Sequence, residues 1–176
     1  VNPIGIRACY DEGKRCAESL FYDFHRTHGL DIKVARLFNT YGPLMRADDG
    51  RVVSNFICQS ILDHPITMYG DGSQTRSFCH VDDLIRGLQL LMNTESNILH
   101  PVNLGNPGEF TLLELVNQIE LITEKKLQVE FLPLPLDDPK KRKPDISVAM
   151  QKLEWEPSIS LKDGLKDTYE YFQNQL

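Results

Sequence analysis

The sequence lacks the features that mark several classes of protein. Its 176 residues contain no run of the roughly 18–20 apolar residues that a membrane-spanning helix needs, so we expect no contact with a membrane within these residues. Its 19 Lys and Arg residues are fewer than its 25 Asp and Glu residues, and the net charge of −6 argues against a nucleic-acid partner. Its four cysteines are widely separated, with no C-x-x-C pair and no histidine at metal-ligand spacing. We therefore expect no metal site, and free buried thiols in a reducing cytoplasm.

What is present is typical of a folded globular protein. Hydrophobic residues make up 41% of the chain and charged residues 25%, which excludes disordered and collagen-like classes. The length is enough to bury one sizeable core and is short for two full domains. The opening V-N-P-I-G-I-R-A-C-Y has no initiating Met and reads as a loop leading into a helix, so we expect part of a larger domain.

Helical and extended patterns alternate along the chain, which predicts an α/β fold with helices covering a largely parallel sheet. Apolar residues recur at helical spacing over residues 8–27, 52–62, 82–92, 111–123, 146–153 and 161–172. Strand patterns occupy residues 31–38, 67–69, 76–81, 101–104 and 127–132, and the first of these is apolar enough for a buried strand. Asp82 and Ser160 stand where N-caps belong, and Thr111 with Glu114 forms a capping-box pattern.

The segment Gly70-Asp71-Gly72 lies between two of these predicted strands. It is similar to the start of a G-x-G dinucleotide loop, but a third glycine is missing and the next segment is extended rather than helical. The pattern favours instead a hairpin turn that joins strand 67–69 to strand 76–81.

Tyr10 and Lys14 form a Y-x-x-x-K pair on the first predicted helix. Residues four apart share one helix face, so the ammonium can lie beside the phenol. A tyrosine with its ordinary pKa of about 10 is a poor base near neutral pH, and a nearby cation stabilises its phenolate. Tyr22 and Arg26 repeat the spacing on the same helix, so the pair alone has low specificity.

Three arginines, Arg51, Arg76 and Arg142, fall in loops or at strand ends. A guanidinium there can bind phosphate oxygens through two hydrogen bonds, or remain as solvated surface charge. Arg142 belongs to the basic run K-K-R-K at 140–143. The aspartates on both sides of that run favour an exposed, ion-paired loop over a nucleic-acid patch.

Taken in order, four stretches resemble the extended short-chain dehydrogenase/reductase family, in the branch that acts on nucleotide sugars. They are R-A-C-Y-D-E-G-K-R, D-G-R-V-V-S-N-F, G-S-Q-T-R-S-F and D-D-P-K-K-R-K-P-D. Within that branch they look most like the members that convert UDP-glucuronate to UDP-xylose through a 4-keto intermediate, with NAD as cofactor. The resemblance implies a Rossmann-like sheet and a smaller sugar-nucleotide subdomain.

The same resemblance implies roles for individual residues. Tyr10 matches the family's general base, and Lys14 matches the residue that stabilises the phenolate and binds the nicotinamide ribose. Thr40 and Arg46 match positions that contact the cofactor. Positions that contact the UDP-sugar substrate are matched by Asn39, Arg51, Val53, Gln74, Arg76 and Arg142. Arg142 is also implied to act in catalysis beside the reacting sugar, and the first helix is implied to join two copies as a homodimer.

The family pattern also has parts that these residues do not contain. Neither its G-x-x-G-x-x-G phosphate loop nor the Ser or Thr that accompanies the catalytic Tyr occurs before Tyr10. We therefore expect the C-terminal part of the fold. Residues 1–49 would end the Rossmann domain, 50–176 would form mainly the sugar-nucleotide subdomain, and 101–123 would return to the Rossmann sheet. Such a fragment is expected to bind NAD poorly and to be inactive alone.

Two other functions stay open on the sequence. A sibling nucleotide-sugar 4,6-dehydratase or 4-epimerase would use the same Tyr and Lys and differ in the steps that follow. A non-catalytic remnant that binds a nucleotide sugar, or pairs with another subunit, belongs to a different class.

Overall fold

The computed structural model describes residues 3–6, 8–95, 98–134 and 143–176. The helices within them are α1 (Ala8–His28), α2 (Val52–Ile61), α3 (Val81–Asn93), α4 (Leu112–Thr123), α5 (Ser147–Leu153) and α6 (Leu161–Gln173). The strands are β1 (Ala35–Leu37), β2 (Thr40–Tyr41), β3 (Ile66–Tyr69), β4 (Thr75–Arg76), β5 (Cys79–His80), β6 (Val102–Leu104), β7 (Phe110–Thr111) and β8 (Val129–Leu132). Helices and strands alternate, which confirms the predicted α/β class.

The helix starts follow from short-range hydrogen bonds. The hydroxyl of Thr111 accepts the backbone N–H of Glu114 at 3.1 Å, and the Glu114 carboxylate accepts the N–H of Thr111 at 2.7 Å, which confirms the predicted capping box. Ser160 caps α6 through its hydroxyl, as predicted. The prediction of Asp82 as the cap of α3 is wrong. The cap is His80, whose Nδ1 accepts the N–H of Asp82 at 3.3 Å, because β5 runs directly into the helix.

The strands form four two-stranded sheets, three parallel and one antiparallel. The parallel pairs are β1 with β6, β2 with β5 and β3 with β8, while β4 and β7 are antiparallel. The carboxyl ends of paired parallel strands lie at the same edge. The loops that follow β1 and β6 therefore begin side by side.

The predicted hairpin between strand 67–69 and strand 76–81 is wrong. The first pairs with β8 and the second is split into β4, which pairs with β7, and β5, which pairs with β2. A turn does join them, with Gly70 and Gly72 at φ of 80° and 77°. The Asp71 carboxylate accepts the N–H of Ser73 at 3.0 Å. This turn leads the chain into a different sheet because the β8 segment, distant in sequence, pairs with β3.

Buried side chains form two clusters. One lies between α2, α4 and α6 and includes Phe56, Leu115 and Leu165. The other lies between α3, α5 and β6 and includes Leu104 and Trp155. Tyr41 of β2 belongs to the first cluster, and β2 pairs with β5, whose Cys79 belongs to the second.

No residue of α1 is buried. Its exposed residues include Cys16, Leu20 and Phe24, whose helical spacing predicts packing, in part against a second subunit. The prediction that the strand over residues 31–38 is buried is wrong for Leu37 of β1, which is 54% exposed. Within the described residues β1 pairs with one strand, β6, and its Ala35 rather than its Leu37 packs against the buried cluster around Leu104.

The four thiols are free but differ in exposure. Cys58 and Cys79 are buried, whereas Cys9 and Cys16 lie exposed on α1, so the prediction of buried thiols is wrong for two of the four. Burial raises the pKa of the Cys79 thiol to about 12. Within the described ranges no helix is both long and apolar enough to cross a bilayer, and no three ligand-type side chains converge on a possible metal site.

Candidate active site

An open cleft of about 1200 Å³ lies between α1 and β1 and continues to the start of α2. The loop after β1, the end of β3 and strand β4 complete its walls. The residues predicted from the sequence that line it are Tyr10, Lys14, Asn39, Thr40, Arg51, Val53, Gln74 and Arg76. Tertiary folding thus brings residues from separate sequence motifs to one cavity.

Tyr10 and Lys14 project from α1 at the mouth of this cleft. The Lys14 Nζ lies 5.6 Å from the centre of the Tyr10 ring, within the range of a cation–π contact. Tyr10 is 62% exposed, so a substrate hydroxyl has room to approach its phenol oxygen. The geometry provides the cation beside a phenol that the Y-x-x-x-K spacing predicted.

Asn39 and Thr40 follow β1 and are held by backbone hydrogen bonds on both sides. The N–H of Phe38 donates to the carbonyl of Leu104 at 3.0 Å, and the carbonyl of Asn39 accepts from the N–H of Cys79 at 2.9 Å. The Thr40 hydroxyl donates to the Phe38 carbonyl at 2.9 Å. These residues lie at the carboxyl edge of a parallel pair, where α/β sheets bind their ligands.

Arg51 and Val53 are at the N-terminus of α2. Arg51 is its extended N-cap residue, with its N–H donating to an Asp49 carboxylate oxygen at 2.9 Å and its Nε 3.5 Å from the other oxygen. Val53 is only 2% exposed, and its side chain belongs to the core. The positive end of the helix dipole beside an arginine suits the phosphate of a nucleotide.

Gln74 and Arg76 enter the cleft from the turn after β3 and from β4. The Gln74 amide donates to the carbonyl of Tyr69, which ties the turn to the end of β3. The Arg76 Nη1 donates to the Thr75 carbonyl at 2.8 Å. Arg76 and Arg51 therefore approach the same cavity from two different elements, an arrangement that suits the two charges of a diphosphate.

Two predicted residues are not among those that line the cleft. Arg46 lies outside its lining and is paired with Asp48, with Nε–Oδ1 and Nη2–Oδ2 distances of 2.9 Å and 2.8 Å. These hydrogen bonds lower the pKa of Asp48. Arg142 lies outside the described residues, so its roles at the phosphates and the reacting sugar stay predictions.

Glu18 and Arg36 line the cleft and were missed by the sequence reasoning. The Arg36 Nε donates to Glu18 Oε1 at 2.7 Å, and its Nη2 donates to Oε2 at 2.6 Å. The hydrogen bond from Arg36 lowers the pKa of Glu18. Two sequence signals could have identified them. Glu18 continues the four-residue interval of Tyr10 and Lys14, and Arg36 is a charged residue in an otherwise apolar strand.

Comparison with known proteins identifies similar sequences. The profile of the "NAD dependent epimerase/dehydratase family" matches residues 1–105. UDP-glucuronic acid decarboxylase 1 of Arabidopsis thaliana is 56% identical over the whole chain, which spans 40% of that protein. UDP-glucuronic acid decarboxylase 1 of Danio rerio is 51% identical over the whole chain, which spans 42% of that protein. The chain thus spans less than half the length of these two curated relatives.

Solved structures show the same fold. A UDP-glucuronic acid 4-epimerase from Bacillus cereus, in complex with UDP-glucuronic acid and NAD, superposes with a TM-score of 0.85 at 34% identity. The match covers 90% of this chain and 50% of that one. An epimerase from Methanothermobacter thermautotrophicus gives a TM-score of 0.90 at 30% identity, covering 98% of this chain and 52% of its own.

Proposed function

Because the chain belongs to the NAD-dependent epimerase/dehydratase family, we propose that it carries the Tyr–Lys pair and UDP-sugar cleft of an enzyme that decarboxylates UDP-glucuronic acid. The observation that carries the proposal is the meeting of Tyr10 and Lys14 with Arg51 and Arg76 in one cleft. The first pair suits proton transfer, and the second suits a diphosphate. The similarity to decarboxylases along the whole chain supports this reaction.

The residues that line the cleft fit NAD as the cofactor. The exposed Tyr10 phenol, with Lys14 beside it, faces an open cavity at the carboxyl edge of the parallel β1–β6 pair. Lys14 would bind the nicotinamide ribose and Thr40 would contact the cofactor from the end of β1. When bound, NAD⁺ would supply the hydride acceptor for carbon 4 of the sugar and the source of its return.

In the proposed reaction Tyr10 acts as the base. Its phenolate accepts the proton of the sugar 4-hydroxyl while Lys14 stabilises the negative charge of the phenolate. Carbon 4 then becomes a ketone, and the sugar is a β-keto acid. The bond from carbon 5 to the carboxylate breaks, CO₂ leaves, and the electron pair passes to the ketone oxygen as an enolate. Carbon 5 takes a proton from solvent, and the enolate becomes the 4-ketone again. Carbon 4 then regains its hydride while Tyr10 returns its proton to the 4-oxygen, which gives UDP-xylose.

The nucleotide would be held at the opposite end of the cleft. Arg51, Arg76 and the N-terminal N–H groups of α2 would bind the diphosphate, and Asn39 and Gln74 would contact the sugar nucleotide. Arg142 would reach the phosphates and the reacting sugar from the segment that the structure does not describe. We place residues 1–49 with the cofactor-binding sheet, and the pairing of β1 with β6 supports the return of the chain to it.

The proposal is tested with the natural polypeptide that carries this sequence. Incubated with UDP-glucuronic acid and NAD⁺, it is expected to release CO₂ and UDP-xylose in equal amounts, with no net consumption of NAD⁺. A second candidate is a 4-epimerase, favoured by the structural likeness to the Bacillus cereus enzyme. An epimerised or dehydrated sugar in place of UDP-xylose, identified by nuclear magnetic resonance, would exclude the decarboxylase.

A non-catalytic role is tested separately by titration of this chain alone. We expect calorimetry to detect binding of UDP and little binding of NAD⁺, because the glycine-rich phosphate loop of the family is not among these residues. Binding of neither ligand would favour a structural role over both enzymatic readings.

We also propose that α1 joins two copies of the protein. Leu20 and Phe24 are 53% and 51% exposed, and an apolar helix face of this kind is typical of a contact surface. Sedimentation of the natural polypeptide is expected to show a dimer, and Phe24→Glu a monomer. The four free thiols support a reducing, cytoplasmic location.

A further inference from the structure

Three side chains that line the cleft follow one another at four-residue intervals on α1. They are Tyr10, Lys14 and Glu18. Each interval advances about 6 Å along the helix and rotates the side chain by roughly 40°, so neighbours in this series can touch. Lys14 therefore has a phenol on one side and a carboxylate on the other.

The Glu18 carboxylate faces two arginines, Arg36 and then Arg15, and both lower its pKa. A lysine can also pair with a glutamate four residues later on a helix, although more weakly than in the reverse order, and such a pair would draw Lys14 away from Tyr10. In the described part of the chain Glu18 pairs instead with Arg36, which engages both carboxylate oxygens at 2.7 Å and 2.6 Å. The Lys14 ammonium lies over the Tyr10 ring.

Arg36 is well placed to hold Glu18. It is the central residue of β1, where its backbone is in register with Asn103 of β6. Its planar guanidinium makes two parallel hydrogen bonds, a geometry that a lysine cannot reproduce. The Arg36 side chain is 53% exposed and that of Glu18 26%, so the pair contributes little to global stability and its effect is on geometry.

We propose that Arg36 is a positioning residue for the Tyr10–Lys14 pair. By engaging the Glu18 carboxylate it leaves the Lys14 ammonium beside the Tyr10 phenol. The kinetic consequence of this inference rests on the proposed decarboxylase function. The consequence for ionisation of the Tyr10 phenol is independent of that function, because it requires only Arg36 on β1 and the three side chains on α1.

The kinetic test uses the natural polypeptide and two variants. Arg36→Met frees the Glu18 carboxylate to bind Lys14, and we expect kcat to fall roughly 10-fold while KM for UDP-glucuronic acid stays within about threefold. The acidic limb of the pH profile of kcat should move to higher pH, because the phenolate loses its cation. The double variant Glu18→Gln/Arg36→Met removes the competing carboxylate and should recover most of kcat.

The matched control is Arg26→Met. Arg26 pairs with Asp23 on the same helix, at 3.1 Å, but lies outside the residues that line the cleft. Its removal should leave kcat and the pH profile unchanged. Wild-type kinetics for Arg36→Met, or a double variant as impaired as the single one, would overturn the proposal.

A second readout needs no turnover. The ultraviolet tyrosinate band of each protein, minus that of its Tyr10→Phe version, follows ionisation of the Tyr10 phenol as the pH is raised. We expect the Tyr10 phenol of Arg36→Met to ionise at higher pH than that of the wild type. The phenol of the double variant should ionise at a pH closer to that of the wild type. An unchanged titration in Arg36→Met contradicts the proposal even if the polypeptide forms no UDP-xylose, and so separates it from failure of the proposed function.

Discussion

The carboxylate of Asp83 in α3 accepts two hydrogen bonds from Ser158, one from its backbone N–H and one from its hydroxyl, both at 3.0 Å. Ile159 N–H and Arg86 Nη2 donate to the same carboxylate at 2.8 Å and 2.9 Å. Asp83 is 1% exposed, so the segment before α6 is tied to α3 by a buried, fully engaged charge. This contact fixes α6, which packs against α2 beneath the cleft.

We expect Asp83→Asn to destabilise the protein by about 3 kcal/mol, because the buried network loses its negative charge and an amide NH₂ group replaces one acceptor oxygen among the donors. The free energy of unfolding in urea measures the effect. Asp23→Asn is the matched control, since Asp23 is exposed and paired with Arg26, and its change should stay within about 0.5 kcal/mol. Equal stability of the two variants would contradict the structural role of Asp83.

The same residue gives a pH dependence with a definite sign. Burial alone would raise the pKa of Asp83, but the hydrogen bonds from Ile159, Arg86 and Ser158 outweigh it and lower the pKa overall. The carboxylate thus stabilises the fold above its unfolded-state pKa of about 3.9, and this contribution is lost as the pH falls through the lower folded-state pKa. The stability of Asp83→Asn, followed by circular dichroism, should therefore fall less on acidification than the stability of the wild type.

Gly164 of α6 is expected to tolerate no side chain. A Cβ there would collide with the Tyr41 hydroxyl and approach His80 Cδ2 to 2.8 Å. Gly164→Ala should cost about 1–3 kcal/mol of stability through overpacking. Gly13→Ala in α1 meets nothing within 4 Å and should instead stabilise by about 0.5–1 kcal/mol. Thermal unfolding of both variants tests the contrast, and a destabilised Gly13→Ala would argue against a regular α1.

The Tyr–Lys hypothesis has a matched control within the same helix. Tyr10→Phe in the natural polypeptide should lower kcat by about 10²- to 10⁴-fold while UDP binding is kept, because only the proton acceptor is removed. Tyr22→Phe changes a tyrosine that has Arg26 at the same spacing but lies outside the residues that line the cleft, and should leave kcat unchanged. Product formation and calorimetric titration with UDP measure the two effects. Equal losses in both variants would exclude Tyr10 as the specific base.

The roles predicted for Arg51 and Arg46 distinguish nucleotide binding from cofactor binding, and both are tested in the natural polypeptide. Arg51→Gln should weaken UDP binding about 10-fold, because a charge-assisted hydrogen bond to phosphate is lost. Arg46→Gln should leave UDP binding unchanged and weaken only NAD⁺ binding, in keeping with its predicted cofactor contact. Titration of each variant with UDP and with NAD⁺ measures the two effects. A loss of UDP affinity in Arg46→Gln would contradict the assignment of Arg46 to the cofactor.

The sequence by itself determined the elements whose causes are local. The capping box of Thr111 and Glu114 and the cap at Ser160 involve residues three apart, so their geometry is set once the helix forms. The Y-x-x-x-K pair is likewise a short-range feature of α1. The individual motifs of the candidate site, and the family they resemble, could also be read without a structure.

Tertiary structure alone decided which distant segments meet. Ile66 of β3 pairs with Val129 of β8 rather than with its neighbour in sequence, because pairing depends on long-range packing that no local pattern contains. Likewise, the Glu18–Arg36 pair and the convergence of Tyr10 with Arg76 arise only when α1, β1 and β4 lie around one cleft. Local residue chemistry predicts what each side chain can do, and the packing of the elements determines which of them act together.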